Sequence, residues 1–333
     1  MKSDRPRILF IYKDFSHFVK KDYESLGRSF QVVPIRSPFG KSGADFFFAG
    51  AKQFFLLARH IWKCDALFCW FADYHSLLPA LFSRLSSKPL FLVLGGYDVT
   101  HVESLDYGSF NKKFRGFCAR YSMRHARMNL PVAEALGIEA RKRAGDIHVT
   151  VLPTGYDPAL YLPGEAKEEM ILTVSITDSR QRYLLKGIDR FVELAGCLPE
   201  LRFVVIGIEP GVESQIGFIP GNLVVLPPLD HADLVGWYGK ARYYAQFSRS
   251  EGLPNAVCEA MLRNCIPLGI RVGGIPEAMG SVGILLDAWD AEQMAEKVRS
   301  LPDVASHSQW AREHILQHFQ IDRREQALEK LIR

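Results

Sequence analysis

Residues 248–277, SRSEGLPNAVCEAMLRNCIPLGIRVGGIPE, decide how the rest of this 333-residue chain is read. Two carboxylates, Glu251 and Glu259, stand eight positions apart, with Gly252, Leu253, Pro254 and Asn255 between them. Proline disfavours helical geometry at Leu253 and suits the first turn of a helix, so a helix is expected to start at Pro254 or Asn255. Glu251 then lies on the entering loop and Glu259 about one turn inside. The N–H groups and positive end of such a helix suit a phosphate or diphosphate, and a glycine at 252 lets a ligand approach the backbone closely. Carboxylates on the two sides can accept from hydroxyls flanking that phosphate, the arrangement of a sugar joined through a diphosphate to a ribose. The plain alternative is a pair of solvated acids favoured by the helix dipole.

Downstream, residues 266–270 form an apolar run suited to a buried strand, followed by a Gly273-Gly274 turn and Ile275-Pro276-Glu277. This order of Glu-Gly-x-Pro-Asn, Glu-Ala-Met, buried strand and Gly-Gly-x-Pro-Glu closely resembles the donor-binding signature of the family 4 retaining glycosyltransferases of GT-B fold (glycosyl transferases group 1). Several fixed spacings over about thirty residues make the resemblance specific.

The chain is long enough for two domains, and 48% hydrophobic with 23% charged residues is the balance of a soluble globular protein. No segment reaches the ~18 uninterrupted apolar residues of a membrane span. The opening MKSDRPRILFIY has a charged lead without a long apolar region, so export is not expected. Cys64, Cys69, Cys118, Cys197, Cys258 and Cys265 show neither CxxC pairs nor zinc spacing and read as reduced thiols of a cytosolic protein. Residues 1–158 hold 23 Lys and Arg against 14 Asp and Glu, while the remainder holds 18 against 23. The basic first half favours an anionic partner, such as a phospholipid surface or a phosphate-bearing acceptor, with a solvated face as the alternative.

Residues 7–12 (RILFIY) suit the first strand of a parallel sheet. A helix is expected at 23–30 and a strand at 30–35, ended by Ser37-Pro38-Phe39-Gly40. Residues 44–63 read as a long aromatic helix packing on the sheet, with a membrane-dipping face as the alternative. Strands at 66–71 and 90–94 enclose a helix at 75–85, and the second ends in Gly95-Gly96-Tyr97-Asp98. Such alternation implies a doubly wound parallel sheet, with ligands beyond the carboxyl ends of its strands. Asp98 reads equally as a ligand contact or a turn residue. Residues 111–129 carry Lys112, Lys113, Arg115, Arg120, Arg124 and Arg127 and no acid. As a helix they set Phe114, Phe117, Cys118, Tyr121 and Met128 on one side. A solvated basic face is the plain reading, and an anchor for anionic lipid or for an acceptor's phosphate the sharper one. No nucleic-acid motif accompanies the charge, so no nucleic-acid partner is expected.

A helix at 133–144 and a strand at 149–152 lead to Pro153-Thr154-Gly155-Tyr156-Asp157, a turn that also resembles the family. The second domain opens with a strand at 171–175. The following turn, 177–187 (TDSRQRYLLKG), is cationic through Arg180, Arg182 and Lys186, and the apolar spacing of Ile188, Phe191, Val192, Ala195 and Leu198 puts Lys186 and Gly187 at a helix start. A lysine there opposes the dipole unless an anion lies between them, which argues for phosphate over a surface lysine. Strands are expected at 203–207, 223–226 and 243–247, the last delivering Glu251. Helices follow at 234–240, 293–301 and 308–332.

The resemblance implies two Rossmann-like domains facing a cleft: residues 1–158 on the acceptor side, a linker at 159–169, a nucleotide-sugar domain at 170–307, and a C-terminal helix at 308–333 returning to the first domain. It implies an enzyme that moves a sugar from a nucleoside diphosphate to a hydroxyl of a glycan or lipid-linked acceptor with retained anomeric configuration. Such an enzyme works in polysaccharide assembly in the cytoplasm or at the inner membrane face. Carried over, Glu251 contacts the donor sugar, Glu259 the ribose, and the backbone of Gly252, Leu253, Pro254 and Asn255 the sugar and phosphate. Lys186 beside Gly187, with Arg180 or preferably Arg182, neutralises the diphosphate, and Leu229 lies by the base. No metal or other cofactor is assigned, for lack of a DxD or histidine cluster. The family's usual glycine pair is missing from residues 13–21, and Gly95-Gly96 stands where many relatives carry histidine before glycine. Asp98 and His101 are the nearby substitutes at that edge of the first domain. A nucleotide-sugar epimerase and a non-catalytic nucleotide-sugar-binding protein are the alternatives.

Overall fold

The computed structural model describes residues 5–39, 43–163, 166–212, 217 and 219–333. The first four residues of the charged lead, residue 40 of the expected turn, and residues 164 and 165 of the expected linker lie outside these. The chain divides into two compact units, Met1–Thr154 with Asp322–Arg333, and Gly155–Ile321.

The first unit runs β1 (Arg7–Tyr12), α1 (His17–Ser29), β2 (Gln31–Arg36), α2 (Gly43–His60), β3 (Ala66–Trp70), α3 (Tyr74–Ser86), β4 (Leu90–Leu94), α4 (Lys113–His125), β5 (Met128–Pro131) and α5 (Glu134–Ala144). Its strands pair in parallel in the order β2-β1-β3-β4-β5. Continuous apolar runs bury β3 and β4 completely, as a sheet covered on both faces requires. The strand order reverses between β1 and β3, the topological switch of a doubly wound sheet.

Four local expectations change. Helix α2 does not pack broadly on the sheet: it follows the edge strand β2, and only Gln53 and Leu57 are buried. Phe55 and Trp62 stay 70% and 73% exposed. Helix α4 turns its small residues Gly116, Cys118, Ala119 and Ser122 inward together with Met123, because it approaches α3 closely enough for Ser76 Oγ to donate to Ser122 Oγ at 2.7 Å. Phe114 and Phe117 therefore point outward, and Met128 belongs to β5. Residues 149–152 make a single parallel bridge from Val149 to Asn129 instead of a full strand. Residues 13–21 are a loop only as far as Ser16, and α1 begins at His17.

The second unit runs β6 (Glu168–Thr177), α6 (Arg180–Leu185), α7 (Ile188–Cys197), β7 (Arg202–Ile208), β8 (Leu223–Leu226), α8 (His231–Lys240), β9 (Ala241–Gln246), α9 (Asn255–Leu262), β10 (Ile266–Ile270), α10 (Ile275–Met279), β11 (Ile284–Leu286), α11 (Ala291–Arg299) and α12 (Val304–His318). Its parallel sheet has the order β11-β10-β9-β6-β7-β8, with the reversal between β6 and β9. The loops leaving these two strands are the ones that carry Lys186 and Glu251.

The expected terminal helix is two. Helix α12 ends at His318 and stays in the second unit, whereas nearly all of α13 (Ile321–Ile332) belongs to the first. There Arg324 donates from Nε and Nη2 to both carboxylate oxygens of Asp22, each at 2.6 Å, and from Nη1 to the carbonyls of Leu152 and Pro153. Trp70 Nε1 also donates to Asp22, at 2.9 Å, so the charge and its partners are buried together. The six cysteines are free, and no helix among the described residues is long and apolar enough to cross a membrane.

Candidate functional site

Helix α9 starts at Asn255 as the Leu253-Pro254 pair requires, with Pro254 as a cap that offers no side-chain acceptor. The Asn255 side chain is fixed from elsewhere in the unit: Tyr156 donates its hydroxyl to Asn255 Oδ1 at 2.6 Å. The loop before the helix is braced from behind. Gly274 N–H donates to the Gly252 carbonyl at 2.9 Å, and Gly273 has φ +52° with its α-carbon against the Glu251 backbone, where a Cβ would collide with the Glu251 carbonyl. The Gly-Gly-x-Pro-Glu segment thus shapes the loop that presents Glu251, and only glycine fits both the contact and the left-handed backbone.

Lys186 and Glu251 meet across the β6–β9 switch. Lys186 Nζ lies 2.8 Å from Glu251 Oε2, with the side chains 30% and 14% exposed. Gln246, at the end of β9, donates to the same oxygen at 3.3 Å and to Ser248 Oγ at 2.7 Å. The expected cationic turn is partly helical: Ser179 caps α6, Lys186 ends it, and left-handed Gly187 starts α7. Arg249 holds this turn in place, pairing with both oxygens of Asp189 at 2.8 and 2.6 Å. Arg182 is not drawn into the Lys186–Glu251 cluster; its guanidinium lies 3.5 Å from Asp178 on an exposed surface, while Arg180 lies over the Tyr183 ring.

Glu259 is 5% exposed and has its own partners. Its Oε2 lies 3.3 Å from His231 Nε2, and the buried Tyr161 hydroxyl lies 3.2 Å from that same nitrogen. Burial, and then the facing Glu259 carboxylate to which the hydroxyl also bonds, push the Tyr161 phenol above its ordinary pKa. His231 opens α8, two residues past Leu229, which is half-buried in the turn after β8. Gln246, Tyr156, Tyr161 and His231 were not singled out from the sequence. Position at a strand end could have flagged Gln246, and Tyr156 lay within a turn already noted, but Tyr161 and His231 carry no local signal.

At the first unit's β4 turn, Asp98 takes the turn role and not the ligand role. It is fully buried and accepts from the N–H groups of Gly96 at 2.8 Å, Gly95 at 3.1 Å and Ala72 at 3.3 Å. Burial still outweighs those donors and pushes its pKa up to about 6. Gly96 is buried, and His101 is exposed on the loop beyond. Gly95 has a steric cause: Phe71, with φ +71°, lays its ring where a Cβ at 95 would fall. The α4 cations divide. Arg115 faces Asp73 at 2.8 Å and the Tyr97 hydroxyl, Arg120 and Arg124 donate to the last carbonyls of α5, and Lys112 pairs with Asp106. Lys113 and Arg127 are exposed.

Residues 170–303 match the family model described as glycosyl transferases group 1. No functionally curated protein matches the chain. Among solved structures, a sucrose-phosphate synthase from Thermosynechococcus elongatus matches with 14% identity and a TM-score of 0.79 over 98% of each chain. The HepE protein of Anabaena, solved with UDP-glucose, matches with 14% identity and a TM-score of 0.74 over 98% of this chain and 99% of that one. The pneumococcal O-GlcNAc transferase GtfA, solved with UDP and GlcNAc, matches with 13% identity and a TM-score of 0.62 over 84% and 60%. The chain has the GT-B fold, and its second unit carries a glycosyl transferases group 1 domain over residues 170–303.

Proposed function

We propose that the second unit binds the donor with Lys186 against the diphosphate, Glu251 against the sugar hydroxyls and Glu259 against the ribose, next to the start of α9. The observation that carries this reading is the 2.8 Å Lys186–Glu251 pair at the β6–β9 switch, still partly open to solvent. As the anomeric carbon separates from the diphosphate oxygen, negative charge grows on the leaving group, and a fixed ammonium beside N–H donors stabilises it. The acceptor hydroxyl attacks the same face of an oxocarbenium-like carbon, and its proton passes to the departing phosphate. The diphosphate supplies the oxyanion, so no protein nucleophile is needed, and Glu251 orients hydroxyls. Arg182 has to leave Asp178 to reach a phosphate, which makes Lys186 the principal cation. The uridine diphosphate in the HepE and GtfA structures makes UDP-sugars the first donors to try. Incubation with a panel of nucleotide sugars should give slow hydrolysis or transfer with retained configuration. Conversion to an isomeric nucleotide sugar, or binding without turnover, would refute the transferase assignment.

The acceptor is read as a glycan or lipid-linked hydroxyl at the cytoplasmic face of an anionic membrane. Phe47, Phe48 and Phe55 of α2, with Trp62 in the turn just beyond it, make an uncovered aromatic surface, and the ring chain Phe46, Tyr74, Phe114 connects it to α4 and its cations. Aromatic rings beside Lys113, Arg120 and Arg124 suit a phospholipid surface, since bonds to carbonyls leave the arginines charged. Co-sedimentation with phosphatidylglycerol vesicles at two salt levels should show binding that weakens with salt. Absence of binding at both levels removes this reading.

A further inference from the structure

The network around Glu259 does more than bury a carboxylate. Its three groups come from separate places in the second unit: Tyr161 just after the short turn Pro158–Leu160, His231 from the first turn of α8, and Glu259 from inside α9. Tyr161 is fully buried, and Arg312 donates to its backbone carbonyl. The phenol and imidazole rings stand edge to face at 88°, with centroids 6.0 Å apart.

One proton arrangement satisfies every member. If Tyr161 donated to His231 Nε2, the imidazole lone pair would be used there and that nitrogen would have no hydrogen for the carboxylate oxygen 3.3 Å away. If His231 Nε2–H donates to Glu259 and the Tyr161 hydroxyl donates to Glu259 as well, the carboxylate receives two donors and remains an acceptor. A carboxylate has about four lone-pair sites, so about two remain for an incoming diol. The plane of the carboxylate is then set by two side chains whose backbones are anchored elsewhere.

We propose that Tyr161 and His231 are positioning residues that fix Glu259 to recognise a ribose diol and so set the enzyme's preference for ribonucleotide over deoxyribonucleotide donors. This rests on the reading of Glu259 as the ribose contact. A site built to accept from a hydroxyl discriminates strongly against the analogue that lacks it, because the buried acceptor is left unpaired. Loosening the acceptor's orientation weakens the hydroxyl-bearing ligand and leaves the deoxy ligand nearly unchanged.

The test is calorimetric binding to the full chain of UDP, GDP and ADP, each beside its 2′-deoxyribose counterpart, the tightest pair being carried forward. Tyr161→Phe and His231→Ala should each weaken the ribonucleotide about tenfold, the effect of one hydrogen bond to a charged group, and the deoxyribonucleotide less than about twofold. His231→Gln, which retains a side-chain N–H donor, should restore most of the loss. Lys186→Ala should weaken both members of the pair equally. A merely structural role would lower both affinities together and be insensitive to Gln rescue. If Glu259→Ala removes the ribose preference and Tyr161→Phe leaves it intact, the positioning role is overturned while the ribose contact stands. If Glu259→Ala leaves the preference intact, or no diphosphate binds, the ribose reading fails and the inference with it.

Discussion

Two ion pairs, one in each unit, have similar lengths and opposite characters. Asp22 and Arg324 join residues about three hundred positions apart, and both side chains are only 2% exposed. Every strong partner is supplied: two carboxylate contacts, two backbone carbonyls and the Trp70 N–H. Lys186 and Glu251 join two loops at a strand-order reversal, with the lysine 30% exposed and Gln246 as the additional donor to that oxygen. A sealed and saturated pair has nothing to offer a ligand, so it acts as a staple. A partly open pair with spare donors and acceptors exchanges partners when an anion arrives. Distance alone does not separate the two; saturation and solvent access do.

The largest effect expected from breaking this comparison is on the staple. Arg324→Ala leaves Asp22 buried without its counter-charge and should cost about 3–5 kcal/mol, seen as a lower Tm with loss of the first unit's structure. Lys186→Ala should change stability by about 1 kcal/mol or less, since a partly exposed pair is screened by solvent. A matching loss of stability in the two variants would show that the pairs are of one kind.

Activity should rank them the other way. Lys186→Ala removes the cation read as stabilising the leaving diphosphate and should lower kcat about 10²–10³-fold with the fold intact, the range for deleting one preorganised charge donor. Glu251→Gln keeps the shape of the side chain and leaves Lys186 without an anionic partner in the free enzyme. It should weaken sugar-dependent turnover more than binding of the nucleoside diphosphate alone, and kinetics compared with calorimetry on the same variant would reveal whether it does. Equal losses in both would put Glu251 on the diphosphate and not on the sugar.

The same contrast explains what could be read before any coordinates. Glu251, Glu259 and Lys186 were legible because each sits at a fixed offset from a helix start or a glycine turn, and backbone sterics tie those offsets to structure. The alternation of apolar strands with helices was legible for a similar reason, apart from residues 149–152, which bond to β5 through the N–H groups of Thr150 and Leu152 but form only one bridge and no full strand. Gln246, Tyr161 and His231 were not, since their roles come from three-dimensional approach and leave no spacing behind. The fate of α2 was hidden differently. Hydropathy shows that Phe47, Phe48 and Phe55 are apolar but not whether anything covers them, and an edge strand supplies too little surface to do so. The arginines of α4 looked uniform as a charge run, yet two of them terminate α5 and one faces Asp73.

A smaller effect concerns the first unit's own switch region, where rings replace polar groups. Phe71 holds a left-handed backbone, a strain of about 1–3 kcal/mol for a side chain of its size, and its ring fills the space above Gly95. Gly95→His should therefore destabilise by about 1–3 kcal/mol through overpacking, measured as a shift in Tm. Phe71→Gly should relieve the backbone strain, and the double variant should be more stable than the sum of the single changes predicts. Additive single and double changes would mean that the ring does not exclude the side chain.

The subtlest prediction uses pH on Asp98. Burial raises its folded pKa to about 6 from the ordinary 3.8, despite three N–H donors. Below about pH 4 the carboxyl is protonated in both folded and unfolded chains and contributes no slope. Between about 4 and 6 the unfolded chain has released the proton while the folded chain still holds it, so rising pH draws the equilibrium toward unfolding. Above about 6 both forms are ionised and the contribution levels off, at a cost on the order of 1–3 kcal/mol relative to pH 4. Other carboxylates of the chain respond to the same pH change, so the quantity to measure is the difference between wild type and Asp98→Asn in urea unfolding at several pH values. That difference should shift in favour of the variant as pH rises from 4 to 6 and then stay flat. A difference that moves the opposite way would mean that the turn's N–H groups outweigh burial, and that Asp98 is an ionised anchor for the Gly95-Gly96 turn across the whole range.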